Sequence, residues 1–260
     1  MINGILDSNQ KIVSNGLVLN LDAAQLRSYP GSGTTWTDLS GNAYNGTLTN
    51  GPTFDSENGG SIVFDGTNDY VNLPSSGFFL ASTNNFFASA GYAWTVSAWF
   101  KFPVSPGGTR TGNTSWSIFG KAGGIGGSET ITLYIGSATD TTYSPSVPYY
   151  CIVGIRGSKT VISPSSVNTN TWNNVVVTWN GSAGRVYFNG TDRGAANIGS
   201  AAIQTGQYAG IGVTGYNGTT LLNPPQHFQG NISSVQIYNR GISSTEVTQN
   251  YNAIKSRFGL

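Results

Sequence analysis

Along most of the chain, apolar and polar residues alternate one for one. In WTVSAWFKF (94–102), Trp94, Val96, Ala98, Phe100 and Phe102 fall on one side and Thr95, Ser97, Trp99 and Lys101 on the other. That period of two marks an extended strand with two unlike faces. TITLYIG (130–136) behaves the same way, with Ile131, Leu133 and Ile135 opposite Thr130, Thr132 and Tyr134. Shorter runs, SIVFDG, DYVNLP, WNNVVVTWN, RVYFNG and GNISSVQIYN, keep the habit. Gly, Asn, Asp and Ser separate them. Asp65-Gly66, Asn180-Gly181 and Asn189-Gly190 suit hairpin turns, because these dipeptides tolerate positive φ at low cost.

About a dozen strands fit between Gly16 and Asn239 on this reading. So many half-buried antiparallel strands do not lie in one flat layer, so the expected fold is all-β, a two-sheet antiparallel sandwich. No linker or shift in composition divides the chain, and 260 residues suit one large sandwich. The expected organisation is an N-terminal arm, 1–15, followed by one domain over 16–260. The arm is read either as a segment that docks on a neighbouring subunit or as a frayed end.

One helix interrupts the pattern near the C-terminus. Ser243-Ser244-Thr245-Glu246 reads as a capping box, and Val247, Tyr251, Ile254 and Phe258 follow as one apolar stripe. The stripe predicts a short helix packed on the sandwich, with all four residues buried. Trp172 and Trp179, seven positions apart, are expected on opposite faces of an extended segment.

Composition narrows the function. Only 9% of residues are charged, and 12 basic groups nearly cancel 11 acidic ones without forming runs. Counterion release needs clustered Lys and Arg, which argues against nucleic acid as a partner. A surface of Ser, Thr, Asn and Gly suits glycan contact or close protein packing. No stretch is long and apolar enough for a membrane helix, and the first residues lack the basic and apolar regions of a signal peptide. The single cysteine, Cys151, lies inside the apolar run YYCIVGI and reads as a buried core residue.

Several stretches, taken in order, resemble a known family. GLVLNLDAAQLRSYPGSGTTWTDLSGNAYNGTLTNGPTFDSENGGSIVFDGTNDYVNLP (16–74), WTVSAWFKF (94–102), TWNNVVVTWNGSAGRVYFNGTDRG (171–194) and FQGNISSVQIYNRGISSTEVTQNYNAIKSRFG (228–259) resemble the laminin G-like branch of the concanavalin A-like jelly rolls. The resemblance implies a jelly-roll sandwich with a short C-terminal helix. The opening segment resembles domains carried by structural proteins of tailed bacteriophages. It therefore implies a virion protein, as a head decoration, fibre or adhesin, whose partners are other virion or surface proteins, further copies of itself, or glycans. A secreted or cell-surface carbohydrate-binding module is the alternative.

Some jelly rolls of this kind are glycosidases, whose chemistry needs two carboxyl groups flanking the bond. In the hydrolases that resemble this fold, the carboxylates follow an E-x-D-x-E-like pattern on one strand. This chain has three glutamates, Glu57, Glu129 and Glu246, and none stands in that pattern. Asp55 and Glu57 are read as turn residues, Glu246 as a helix cap. His227, the only histidine, follows Pro224-Pro225 and is read as a loop residue bonded locally. No catalytic residue is assigned, and no cofactor or metal site is assigned. A structural calcium is left open: Asp22, Asp38, Asp65 and Asp69 bear suitable oxygens, but Asx-type turn bonding is the favoured role.

Three segments break the strand rhythm, 103–117, 136–148 and 214–227, and long loops of this kind are usually functional. Two of them combine an aromatic ring with amides and hydroxyls, the pairing a sugar needs. Tyr143, Tyr216 and Asn217 are therefore the expected contact residues for a ligand or partner.

Overall fold

The computed structural model describes residues 11–74, 93–103, 116–122, 129–137, 149–155, 158–162, 167–196, 209–216 and 221–260. In chain order the first strands are β1 (Leu17–Asp22), β2 (Thr35–Trp36), β3 (Gly46–Thr49), β4 (Thr53–Asp55), β5 (Ser61–Asp65) and β6 (Tyr70–Asn72). The middle of the chain supplies β7 (Trp94–Lys101), β8 (Trp116–Ala122), β9 (Glu129–Ser137), β10 (Tyr149–Ile155), β11 (Ser158–Ile162) and β12 (Asn173–Trp179). Then come β13 (Gly184–Phe188), β14 (Thr191–Ala196), β15 (Ala209–Ile211), β16 (Val213–Tyr216), β17 (Leu221–His227), β18 (Gln229–Tyr238) and the helix α1 (Ser244–Lys255).

Among the described residues these strands make two antiparallel eight-stranded sheets and one two-stranded ladder. The first sheet runs β14-β13-β12-β7-β18-β5-β4, with β1 also on β18; the second runs β11-β10-β9-β8-β15-β6-β3-β2. Successive stretches of chain alternate between the sheets, and their inner faces meet in one apolar core. Trp94, Val96, Ala98 and Phe100 of β7 face it, as do Ile131, Leu133 and Ile135 of β9. The alternation read from sequence is thus a real division of faces, although the opposite faces are buried too, since Trp99, Thr132 and Tyr134 are almost inaccessible.

The turns follow the same chemistry. Asn189 and Gly190 both take positive φ, 49° and 74°, and close the β13–β14 hairpin. Gly190 is also where the Tyr251 ring rests, so a side chain there would strike it. Asp65-Gly66 behaves differently from the hairpin expected. β5 belongs to the first sheet and β6 to the second, so this turn carries the chain across the sandwich. Asp65 accepts the Thr67 and Asn68 amides to form it.

The segment 214–227, expected as a loop, is mostly strand. β16 and β17 pair antiparallel, Val213 opposite His227 and Tyr216 opposite Leu221. The ladder tolerates Pro224-Pro225 because they fall inside the register shift between Thr214 and Tyr216, where no ladder N–H is needed. This hairpin lies over the outer face of β8: Ser117 and Thr214 share a hydroxyl–hydroxyl bond of 2.9 Å. At Gly120 a methyl group would collide with Thr214 and the Val213 carbonyl, so the close approach requires glycine.

The C-terminal helix covers the outer face of the first sheet. Ser243 and Glu246 form the capping box as expected. Val247 and Ile254 are buried, but Tyr251 and Phe258 are half-buried, and Asn250 is buried with them. Asn250 accepts the Val13 amide at 2.7 Å and donates to the Tyr238 hydroxyl at 2.9 Å, bonds that the apolar stripe does not announce. Tyr251 stacks on Trp99 at 5.3 Å, and Phe258 stacks on Trp172 at 4.3 Å. Trp172 and Trp179 do face opposite ways. Trp172 sits under the end of the helix, and Trp179 packs half-buried against the main core.

Ile254 packs with Trp99 and Trp172. Truncating it to alanine should cost about 2–5 kcal/mol. Denaturant unfolding should show a lower midpoint with an unchanged slope; an unchanged midpoint would mean that the helix is not docked in solution.

Candidate binding surface

Each acidic side chain with described contacts has a structural job. Asp38 accepts amides from Asn20, Ser40 and Tyr44 and the Ser40 hydroxyl, holding the turn between β2 and β3. Asp69 accepts the Asp65 amide. Asp22 receives both terminal nitrogens of Arg257, at 2.7 and 2.8 Å, and so fastens the end of the chain to the end of β1. Asp55 accepts the Glu57 amide and the Asn231 side chain, in keeping with the turn role expected. Among the described residues, no three His, Cys, Asp or Glu side chains converge.

His227 is not the locally bonded loop residue expected. It ends β17, is 2% exposed, and its Nδ1 lies 3.3 Å from the Asp69 carbonyl, far away in sequence. Cys151 is fully buried on β10, and burial pushes its thiol up to about 12. Neither group is presented to a substrate. No helix among the described residues is long and apolar enough to cross a membrane.

Of the expected contact residues, Tyr143 and Asn217 lie outside the described residues. Tyr216 ends β16, its backbone opposite Leu221. Of the three, Tyr216 alone lies within the described residues.

A groove that sequence reasoning missed lies at the start of the helix. After β18 the chain turns at Asn239 and crosses the outer face of the first sheet before Ser243 caps the helix. Beneath that crossing, β12 and β13 present Thr178, Arg185 and Tyr187 on the same outer face, with Thr178 opposite Arg185 in register. These residues, Arg240 and the helix start line an open groove of about 360 Å³. Its charges are matched. Arg185 pairs with Asp192 at 2.6 Å, and Arg240 holds Glu246 through two bonds of 2.6 and 2.9 Å. The available signal was the capping box itself, since a helix whose N-cap stands four residues after Asn239 must start over that face.

With this geometry in view, the comparisons decide the family. The family model described as the concanavalin A-like lectin/glucanases superfamily, a laminin G-like model, matches residues 65–248. The chain belongs to this superfamily. The concanavalin A-like match begins at the Asp65 crossover, and β1 to β4, which precede it, join the same two sheets. No curated protein sequence matches the chain.

Solved structures share the fold at low identity. The binding domain of Paraclostridial Mosquitocidal Protein 1 is 15% identical with a TM-score of 0.62, over 92% of this chain and 52% of that one. The botulinum neurotoxin serotype D binding domain is 14% identical with a TM-score of 0.58, over 92% and 52%. Trypanosoma rangeli sialidase, in complex with sialic acid, is 16% identical with a TM-score of 0.59, over 93% and 33%. This chain thus spans about half of the toxin chains and a third of the sialidase. At these identities the likeness concerns the concanavalin A-like fold alone.

The Arg240–Glu246 pair gives a pH-dependent prediction. The guanidinium bond holds the Glu246 carboxyl down at about 2, against an ordinary 4.5. A depressed carboxylate stabilises the fold above its unfolded value and loses that contribution as pH falls through its folded value. Both side chains are about a quarter exposed, so Glu246→Gln should cost about 1 kcal/mol at neutral pH. Thermal melts of the two proteins should converge between pH 4.5 and 2; a difference that persists below that window would show that the pair is not its source.

Proposed function

We propose that this concanavalin A-like domain is a non-catalytic virion structural protein, a head decoration, fibre or adhesin, that presents a lectin-like surface for protein or glycan contact. The observation that carries the reading is how the sandwich spends its faces. The chain's own helix covers the first sheet around Trp99 and Trp172, and the β16–β17 hairpin covers β8 of the second. Recognition then falls to loops and rims, where neutral hydroxyls and amides outnumber charges. The engagement of the described aspartates in turns and two ion pairs supports a binding role over hydrolysis. The likeness of the opening segment to phage structural domains supports the virion setting, with neighbouring coat or fibre proteins, further copies of this chain, or surface glycans as partners.

A second reading, a secreted or cell-surface carbohydrate-binding module, is favoured by the two toxin binding domains that share the fold. Both readings use the same surface, so one experiment addresses it. Replacing Tyr143 and Tyr216 together by alanine should reduce glycan-array binding or incorporation into particles at least about tenfold, the scale of a lost aromatic anchor. The melting temperature should stay unchanged. If both activities survive at wild-type level, the segment around Tyr143 and the end of β16 are not the working surface. Native fractionation then separates the settings: protein recovered with intact particles supports the virion, and protein recovered at the surface of the producing cell supports the second reading.

A further inference from the structure

The groove at the start of the helix contains two hydroxyl groups that folding leaves unused. Thr178 and Tyr187 are 7% and 5% exposed, and both line the groove from the sheet side. The ring of Tyr187 packs with Val176, Tyr238 and Ile242. Among the described residues neither hydroxyl has a hydrogen-bond partner, and neither is sealed away from solvent as a buried orphan would be. Each hydroxyl therefore reaches water only through the groove, where a ligand hydroxyl can take the water's place. Their neighbours show the contrast: Thr95, on the same face, donates to the Arg240 carbonyl and accepts the Ile242 amide.

We infer that this groove is a binding site for a neutral, hydroxyl-rich ligand, a single sugar unit or disaccharide of a neutral glycan. The volume of about 360 Å³ sits at the lower end of ligand sites, which run from about 300 to 1,000 Å³. Its cations are already paired, Arg185 with Asp192 and Arg240 with Glu246. An anionic ligand would have to break one of these pairs or approach a carboxylate, whereas a polyol is bound without either cost. Thr178 and Tyr187 supply hydroxyls that both donate and accept, as vicinal sugar hydroxyls require. Ser244 adds a first-turn backbone N–H outside the intrahelical pattern. This deepens the glycan side of the function proposed above and rests on it, but it places recognition on the outer face of the first sheet rather than at Tyr143 and Tyr216.

The test uses the whole chain and isosteric changes, Thr178→Val and Tyr187→Phe, singly and together. The probes are methyl glycosides of glucose, galactose, mannose and N-acetylglucosamine, with sialic acid as the charged arm, titrated at millimolar concentration and followed by NMR. A neutral glycoside should shift the amide signals of residues 178–187 and 240–246 in the wild type. Each variant should weaken that binding about three- to tenfold, the scale of one lost uncharged hydrogen bond, at unchanged melting temperature. The wild-type shifts are read independently of whether a variant folds. The inference is overturned if no neutral glycoside shifts those signals, if sialic acid alone does, or if the double variant binds like wild type. Glycan binding that the loop tyrosine variant abolishes and the groove variants spare would sink the groove and leave the loop reading standing. Glycan binding absent everywhere, with particle incorporation intact, would leave only the protein-contact side of the proposed function.

Discussion

A ten-residue strand in the middle of a sheet needs partners for its backbone on both edges, because an unpaired buried amide or carbonyl costs as much as a lost hydrogen bond. β18 meets this need by dividing one of its edges. β7 runs along one side, while the other side takes β5 over Gln229–Ile232 and β1 over Ser234–Tyr238. The changeover falls at Ser233, where a bulge interrupts the ladder with β7. Ser233 is not left unsatisfied there: its carbonyl accepts the Ala23 amide and its hydroxyl donates to the Gly60 carbonyl. The start, middle and end of the chain are joined at this strand. The position of the helix depends on it, since Tyr238 ends the strand on the outer face and the next few residues must cross that face.

Charge is used sparingly and at closures. With so few ionic groups, the Asp22–Arg257 pair stands where the chain's end is fastened to its first strand, and the Arg240–Glu246 pair stands where the helix begins. Arg240 also donates to the Asn15 carbonyl, so one guanidinium ties the N-terminal segment to the helix cap. The remaining surface is left to neutral hydroxyls and amides, whose contacts depend on shape and direction more than on long-range attraction. Such a surface exerts little pull beyond contact distance.

How much of this was legible depended on whether a feature had a local cause. Strand alternation in 94–102 and 130–136, the Asn189-Gly190 turn and the Ser243–Glu246 cap are each decided within a few residues, and each stands in the structure as read. The bulge at Ser233 was not legible. Ile232 and Val235 both face the core although three positions apart, and strict alternation puts them on opposite sides. Pro224-Pro225 pointed to a loop because proline lacks a ladder donor, yet a register shift left room for both. His227 and Asn250 owe their burial to partners far away in sequence, Asp69, Val13 and Tyr238, which no local pattern could name. The groove belongs to this class, for it exists only where a crossing segment lies over two strands.

The pairing of β1 with β18 also settles how the domain carries load. The two strands are antiparallel, and Leu17, the first residue of β1, stands opposite Tyr238, the last of β18. The chain therefore enters and leaves this ladder at the same end. Tension between residue 11 and residue 260 meets first the contacts of the helix, including the Gln249 side chain on the Lys11 carbonyl. It then acts along the line of the inter-strand hydrogen bonds, which lie perpendicular to antiparallel strands, and opens them one after another like a zip. Sliding β1 along β18 would instead load all of those bonds at once. The ladder therefore resists shear along its strands better than it resists being peeled open from the end where the chain enters and leaves it.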